Sequence, residues 1–296
     1  MVMEKLTIAK LLQRGIDMLE KGDYNNPLLD AQLLLCYTLN VDKIYLYTHK
    51  DEQINEETVD KFLKLIQKRS QGYPLQYILG VQEFMGLDFF VKEGVLIPRS
   101  DTETLVEYLI DVVKSGYFDG KNTINIADIG AGSGAITLSL AYYLDNAYVY
   151  SIDISDTALE VTEINRKRLK LKSRVELLKG NLLEPLEFLS LYGMIDIIVS
   201  NPPYIPSEEI DTLQTEVAEY EPKLALDGGE DGLDYYRKIV SESIPYLSEK
   251  GLLAFEIGHN QGAKVKQLLH DSGHFKRIEI RKDLSGHDRV LVGYRY

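Results

Sequence analysis

The chain has 296 residues, a length that suggests about two domains; apolar residues make up 45% and charged residues 27%, which excludes a disordered protein, a collagen-like fibre and a disulfide-stapled miniprotein. Asp plus Glu (46) outnumber Lys plus Arg (33), so the net charge is −13, and an acidic surface disfavours broad binding to phosphate backbones. The single cysteine, Cys36, excludes an intrachain disulfide and fits a reducing cytoplasm.

The start, Met1 to Leu12, is interrupted by Glu4, Lys5 and Lys10, so it lacks the apolar stretch of a signal peptide. No run reaches the ~18 apolar residues needed to span a bilayer. A soluble, cytoplasmic protein without a membrane partner is expected.

The first 70 or so residues read as short amphipathic helices in a small bundle. Ile8, Leu11, Leu12, Ile16 and Leu19 recur at helical spacing, with Gly22 as a stop. Pro27 opens a second stretch through Leu28, Ala31, Leu34 and Leu35, and Val59, Phe62, Leu63 and Ile66 mark a third. Gly72-Tyr73-Pro74 then breaks the pattern. Phe84 to Val91, with Gly86 inside and Gly94 and Pro98 beyond, predicts a β-hairpin linker. Ser100-Asp101-Thr102-Glu103 has the form of a capping box, followed by Leu105, Leu109 and Val112 on one face.

From residue 122 onward strands and helices alternate. Strands are expected at Ile124 to Ile129, Tyr148 to Ile152, Val175 to Leu178, Ile195 to Val199 and Leu252 to Ile257. Helices are expected at Ile136 to Leu144, Thr157 to Leu169 and about 233 to 246. This is the pattern of an α/β fold, a mostly parallel sheet covered by helices on both faces. Val290 to Tyr294 reads as a final antiparallel edge strand.

Two elements of this region carry chemistry. In Asp128-Ile129-Gly130-Ala131-Gly132-Ser133-Gly134, between a strand and a helix, glycines let the backbone turn tightly and approach a ligand. Asp153 ends the next strand, about 20 residues on, where a carboxylate accepts from both ribose hydroxyls of a nucleotide. A nucleoside with an amino-acid tail, such as S-adenosylmethionine, suits that crevice. Asp153 is also placed to cap the helix that starts near Ser155. Asn181-Leu182, after the third strand, offers a polar and an apolar contact for an adenine, or forms a plain turn.

The second element is Asn201-Pro202-Pro203-Tyr204. Two prolines fix φ and remove two donors, so the Pro202 carbonyl and the Asn201 side-chain carbonyl become two rigid acceptors at a strand end, with Tyr204 as a stacking face. Two fixed acceptors suit an NH2 on an sp2 carbon. They orient it and favour localisation of its lone pair as a methyl group approaches.

Asn-Pro-Pro-Tyr with a glycine loop resembles the signature of S-adenosylmethionine-dependent methyltransferases of planar amino nitrogens, a group that includes adenine-N6 DNA and protein glutamine-N5 methyltransferases. The rest of the chain resembles the peptide chain release factor glutamine-N5 methyltransferase family (PrmC/HemK). The matching segments are 72–80, Glu83-Phe84, Leu96 to Arg99, Thr102-Glu103, Asp128 to Ala135, Ser200 to Tyr204, Glu221-Pro222 and Leu226 to Tyr236. Ser100 stands where the family usually has proline, and Asn181-Leu182 where it often has aspartate before an aromatic residue.

The resemblance implies a helical N-terminal domain over 1–72 that docks the release factor, a hairpin linker over 73–98, and a seven-stranded, Rossmann-like methyltransferase domain over 99–296. It implies S-adenosylmethionine as cofactor, S-adenosylhomocysteine as product, no metal, and the glutamine of the Gly-Gly-Gln loop of class 1 release factors as substrate. Gly130, Ala131, Gly132, Ser133, Gly134, Asp153, Asn181, Leu182 and Asn201 would line the cofactor. Asn201, Pro202, Pro203 and Tyr204 would hold the glutamine, with Asn201, Pro202 and Tyr204 catalytic. A monomer without direct nucleic-acid binding is expected. The rival reading, an adenine-N6 or related methyltransferase of nucleic acid, predicts a basic channel that the charge balance does not suggest.

The remaining polar features read as structural. The five histidines lack metal-ligand spacing, and Gly273 argues against a helical pair of His270 and His274. Six basic residues between Arg166 and Arg174 read as a solvated helix end, with a patch for an acidic protein or for RNA as the alternative, and 227–231 as a flexible loop near the site without calcium-ligand alternation.

Overall fold

The computed structural model describes residues 6–20 and 26–295. The Gly22 stop and the Glu4 and Lys5 interruptions lie outside the described residues. The chain divides into two compact units, Met1–Gly80 with Gln214–Tyr220, and Val81–Leu213 with Glu221–Tyr296.

The first unit is helical: α1 (Ile8–Leu19), α2 (Pro27–Leu39), α3 (Lys43–Thr48), α4 (Glu56–Ser70) and α5 (Leu75–Leu79). Thr7, Asn26, Asp42 and Asn55 cap the first four, each side chain accepting a backbone N–H of the first turn. Leu11, Leu19, Leu34, Leu35, Phe62 and Ile66 close the core, and Cys36 is buried with them. The later segment with the short helix α10 (Thr215–Ala218) joins this unit through a buried cation: Arg69 donates to Asp30 at 2.7 Å and to Glu216 at 2.7 Å.

The second unit opens with the expected hairpin, β1 (Val81–Phe84) and β2 (Leu87–Phe90), paired antiparallel. Next come α6 (Ser100–Lys114), β3 (Ile124–Ile129), α7 (Ala135–Tyr143), β4 (Ala147–Asp153), α8 (Asp156–Arg168), β5 (Val175–Lys179), α9 (Glu184–Phe188), β6 (Ile195–Ser200), α11 (Asp234–Ser243), β7 (Leu247–Glu256), α12 (Gly262–Asp271), β8 (Arg277–Lys282) and β9 (Asp288–Tyr294). The sheet order is β5-β4-β3-β6-β7-β9-β8, with β5 to β7 mutually parallel and β9 antiparallel to both its neighbours. Apolar side chains fill both faces; Ile126, Val149 and Val292 lie in one cluster, Ile152, Ile198 and Phe255 in the other. From β3 the connection runs outward to β4 on one side and, later, to β6 on the other. A crevice at the carboxyl ends of such strands is where open α/β sheets bind ligands.

Two expectations change. The 290–294 strand is interior, because β8 covers its outer side. Arg277-Ile-Glu-Ile-Arg-Lys alternates charged and apolar residues, and its mostly exposed, charged face suits a sheet edge. The capping box at Ser100 does not form: Arg99 occupies the cap position without a side-chain bond. Tertiary partners claim its members, since Glu103 accepts the Met85 N–H at 2.6 Å and Thr102 turns to Glu256. Among the described residues no helix is long and apolar enough to cross a membrane.

Candidate active site

The glycine loop joins β3 to α7. Gly130, Gly132 and Gly134 all have positive φ (76°, 59° and 81°), which a side chain would strain. A Cβ on Gly130 or Gly132 would meet nothing within 4 Å, so these two border open space; at Gly134 it would strike Thr162 at 2.8 Å. The loop is braced from behind: Thr162 Oγ1 donates to the Gly132 carbonyl at 2.9 Å and Asn165 Nδ2 to the Ser133 carbonyl at 2.9 Å. Asn165 also pairs with both backbone groups of Phe90, tying the loop to the hairpin.

Asp153, at the end of β4, accepts from Gly132 N–H and Ser155 N–H, each at 2.8 Å. Ser155 rather than Asp153 caps α8. Burial pushes the Asp153 carboxyl up, against the backbone bonds that favour its charged form. Beneath the loop, burial pushes Asp128 up to about 7, although Thr137 donates to it through both its N–H and its hydroxyl. The other oxygen of Asp128 has no partner among the described residues.

Across the crevice, β6 ends at Ser200, whose hydroxyl donates to the Ile129 carbonyl at 2.7 Å and locks β6 to β3. Asn201-Pro202-Pro203-Tyr204 follows. Gln261 Nε2 donates to the Tyr204 carbonyl at 2.9 Å, and a Cβ at Gly232 would lie 2.3 Å from that same oxygen. Glycine at 232 is therefore what allows 227–231 to fold against the turn. That segment is braced rather than loose: Asp227 accepts from Ser207 and from Gly229 N–H, and Asp231 from Arg237.

Behind Asn201 lies a chain of buried polar groups. Asn201 Nδ2 donates to Thr102 Oγ1 at 3.3 Å, and Thr102 Oγ1 donates to Glu256 Oε2 at 2.5 Å. Tyr204 reaches the other Glu256 oxygen at 3.4 Å. Glu256 is 1% exposed. Burial pushes it up to about 7, opposed by the Thr102 hydroxyl and by Arg289. Burial and the neighbouring Glu256 charge likewise push the Tyr204 phenol well above its ordinary value.

One cavity joins these parts. Gly130, Ala131, Gly132, Ser133, Asp153, Asn181, Leu182, Asn201, Pro202 and Pro203 all line it, as do Thr102, Arg99 and Leu224. The cavity is mostly apolar in its lining and opens to solvent at one mouth, the general form of a small-molecule site. Leu182 holds a φ of 50°, a left-handed conformation costly for a leucine and concentrated at ligand sites. Gly134 and Tyr204 stand back from the lining. The first sets the entry to α7. The second packs its ring against the core and turns its hydroxyl to Glu256.

At the mouth, Arg99 Nη2 donates to both oxygens of Glu221 at 2.8 Å, joining Pro98-Arg99 to the wall formed by Pro222, Leu224 and Ala225. Among the described residues no group of three or more His, Cys, Asp or Glu side chains could hold a metal ion.

Comparison with known proteins gives the same picture. Residues 10–80 match the PrmC N-terminal domain and residues 107–230 the methyltransferase small domain. A protein of Clostridium botulinum named release factor glutamine methyltransferase is 40% identical, over 98% of this chain and 100% of that one. Its namesake in Clostridium acetobutylicum is 44% identical over 98% and 99%. The chain belongs to the release factor glutamine methyltransferase family. The hMettl16 catalytic domain, solved with an RNA hairpin, is 15% identical over 82% of this chain and 83% of that one, with a TM-score of 0.56; at that identity the likeness is one of fold. A Rossmann-like methyltransferase domain preceded by a helical PrmC domain is thus the architecture of this family member.

Thr102 and Glu256 escaped the reading of the sequence as site residues. Glu256 left one signal, an acid inside the apolar run Leu252 to Ile257. Thr102 left only its place in the Thr102-Glu103 pair that the family resemblance matches.

Proposed function

We infer that the chain is an S-adenosylmethionine-dependent protein-(glutamine-N5) methyltransferase acting on the Gly-Gly-Gln glutamine of class 1 release factors, in a cytoplasmic setting. The observation that carries this reading is the single cavity that holds Asn201-Pro202-Pro203 and the glycine loop on its two sides. Family membership supports the choice of glutamine over a nucleic-acid amino group.

The residues present fit the cofactor. Gly130 and Gly132 leave a cradle that any Cβ would fill, Asp153 offers a carboxylate beside it for ribose hydroxyls, and Asn181 and Leu182 suit the adenine. When bound, S-adenosylmethionine supplies a methyl carbon made electrophilic by its sulfonium.

The protein's own work is on the acceptor. The Asn201 Oδ1 and Pro202 carbonyl accept the two N–H bonds of the glutamine carboxamide and hold its nitrogen in line with that carbon. Among the described residues no protein group donates to either oxygen. The two bonds favour a localised lone pair on an otherwise poor nucleophile. The ring of Pro203 offers a flat wall, and Tyr204, anchored on Glu256, holds the turn rigid. The surplus proton leaves after transfer, so no strong base is required.

The test is labelled S-adenosylmethionine offered with a release factor, with its Gln→Ala version and with DNA. Label confined to the intact release factor is expected. Label in DNA, or equal label in the Gln→Ala factor, would overturn the assignment.

A further inference from the structure

A carboxamide has two nearly isosteric ends, one that only accepts hydrogen bonds and one that only donates. The glutamine reading requires Asn201 to present its oxygen. Nothing in the shape of asparagine decides this, so the decision must come from the groups behind it.

Those groups are few. Thr102 has one hydroxyl proton, and it lies on Glu256 Oε2 at 2.5 Å. With that proton committed, the Thr102 oxygen is left as an acceptor, and only the Nδ2 end of Asn201 can face it, as it does at 3.3 Å. The Oδ1 end is thereby turned toward the cavity. The dependence runs through the charge on Glu256: a carboxylate must accept, so it fixes the direction of both bonds. A neutral acid in its place would be free to donate to Thr102, and Thr102 would then give its own proton to Oδ1 and bring Nδ2 round to the cavity. Two N–H donors would face the substrate's NH2, and the acceptor pair would be lost.

We propose that Glu256, acting through Thr102, is a positioning residue that sets which end of the Asn201 carboxamide faces the substrate, and that its protonation switches the site off. The proposal rests on the glutamine reading above and extends it to a group that does not touch the substrate.

The groups around Glu256 fit this role. From α6 come Thr102 and Asp101, from the turn after β6 Tyr204, from β9 Arg289, and from α11 Tyr236, whose hydroxyl donates to the Glu256 backbone carbonyl at 3.0 Å. Arg289 is shared, at 2.9 Å from Asp101 and 3.1 Å from Asp283, so its support for the Glu256 charge is divided. Burial takes the carboxyl up to about 7 in spite of that support, which brings its titration into the working range.

Four proteins test this: wild type, Thr102→Val, Thr102→Ser and Glu256→Gln. Each is assayed with release factor from pH 5.5 to 8.5, with S-adenosylmethionine affinity measured by calorimetry. Thr102→Val keeps the side-chain shape and should lower kcat roughly 30- to 100-fold, the scale of losing one preorganised contact, with the cofactor Kd within about threefold. Thr102→Ser should restore most of that loss. Wild-type kcat should fall about tenfold per pH unit on the acid side of Glu256 titration, and Glu256→Gln should be both slow and flat over that range.

A second readout needs no turnover. The Asn201 side-chain NH2 signals in NMR, assigned by their disappearance in Asn201→Ala, should titrate near neutral pH in wild type and not in Thr102→Val or Glu256→Gln. Thr102→Val at wild-type kcat, an acid limb that survives in Glu256→Gln, or NH2 signals that do not titrate would each overturn the proposal. A wild type whose NH2 signals titrate as described but which labels no release factor supports the positioning chain and overturns the glutamine reading instead.

Discussion

The two sides of the cavity are built differently. The side at β3 and β4 is made of main chain: three glycines of positive φ, two of them facing open space. Its side chains mostly serve as props, with Thr162 and Asn165 holding carbonyls from behind. The side at β6 and β7 is made of side chains in series. Asn201 is set by Thr102 and Thr102 by Glu256, the last two standing 154 positions apart in sequence. A ligand surface of main chain tolerates little change of backbone but depends on few distant residues. A side-chain series can be tuned, and can fail, at any of its members.

The sharpest way to break this comparison is at Asn201. Asn201→Ala removes one of the two acceptors and leaves the glycine loop untouched. Turnover should fall by a factor of about 10² to 10³, or about 3–4 kcal/mol, while calorimetry shows the cofactor Kd within about threefold of wild type. Equal losses in turnover and in cofactor affinity would mean that the two sides do not act separately.

Asp153→Ala is the converse. It removes a carboxylate that meets both the loop and the expected ribose position. Charged hydrogen bonds of this kind contribute about 1.5–3 kcal/mol, so the cofactor Kd should rise roughly 10- to 100-fold, with most of kcat recovered at saturating cofactor. A kcat that stays low at saturation would place Asp153 in the acceptor's machinery instead.

Asn165→Ala tests the props. It leaves the buried Ser133 carbonyl and both part-buried Phe90 backbone groups without that partner. The cost of such unpaired groups is about 1–3 kcal/mol, to be seen as a lowered thermal midpoint. Cofactor affinity should fall only in proportion to loosening of the loop. An unchanged midpoint would show that water replaces the bonds and that the loop holds its own shape.

The same contrast explains what could be read from the sequence. The glycine loop, Asp153 and Asn201 to Tyr204 are contiguous or follow a strand at fixed spacing, so they stand out locally, and Gly130, Gly132, Asp153, Asn201, Pro202 and Pro203 line one cavity. The alternating elements from residue 122 likewise gave the parallel strands β3 to β7 in order. Edge strand β8 was missed because four of its six residues are charged, and an edge needs only a thin apolar stripe. Thr102 is only a spacer inside the Ser100 to Glu103 stretch, and a threonine in the first turn of a helix carries no local sign of a distant acceptor. Glu256 was legible as an oddity, but its partners come from α6, α11, β9 and the turn after β6. Only folding brings those together. Tyr204 is the residue expected as a stacking face for the substrate; its ring packs against the core and its hydroxyl lies 3.4 Å from Glu256.

A last contrast lies in how stability depends on pH, and it too separates the two sides. Asp128 lies under the glycine loop and Glu256 behind Asn201, and burial pushes each up to about 7, above the ordinary carboxylate range near 4. Between those limits the folded state holds a proton that the unfolded state has lost. Stability is therefore greatest on the acid side and declines as pH rises toward 7, with a slope of at most about 1.4 kcal/mol per pH unit for each group. Chemical denaturation of the cofactor-free protein from pH 5 to 8 should show this decline, and Asp128→Asn and Glu256→Gln should each remove one share of it. The Glu256 share runs against activity: the proton that stabilises the fold is the one that turns the Asn201 carboxamide the wrong way. If Asp128→Asn flattens the stability profile but leaves the acid limb of kcat in place, while Glu256→Gln removes both, the two buried acids belong to separate halves of the site. If Asp128→Asn also removes the acid limb, the halves are coupled through β3 and β6, and the Ser200 hydroxyl on the Ile129 carbonyl becomes the first bond to cut.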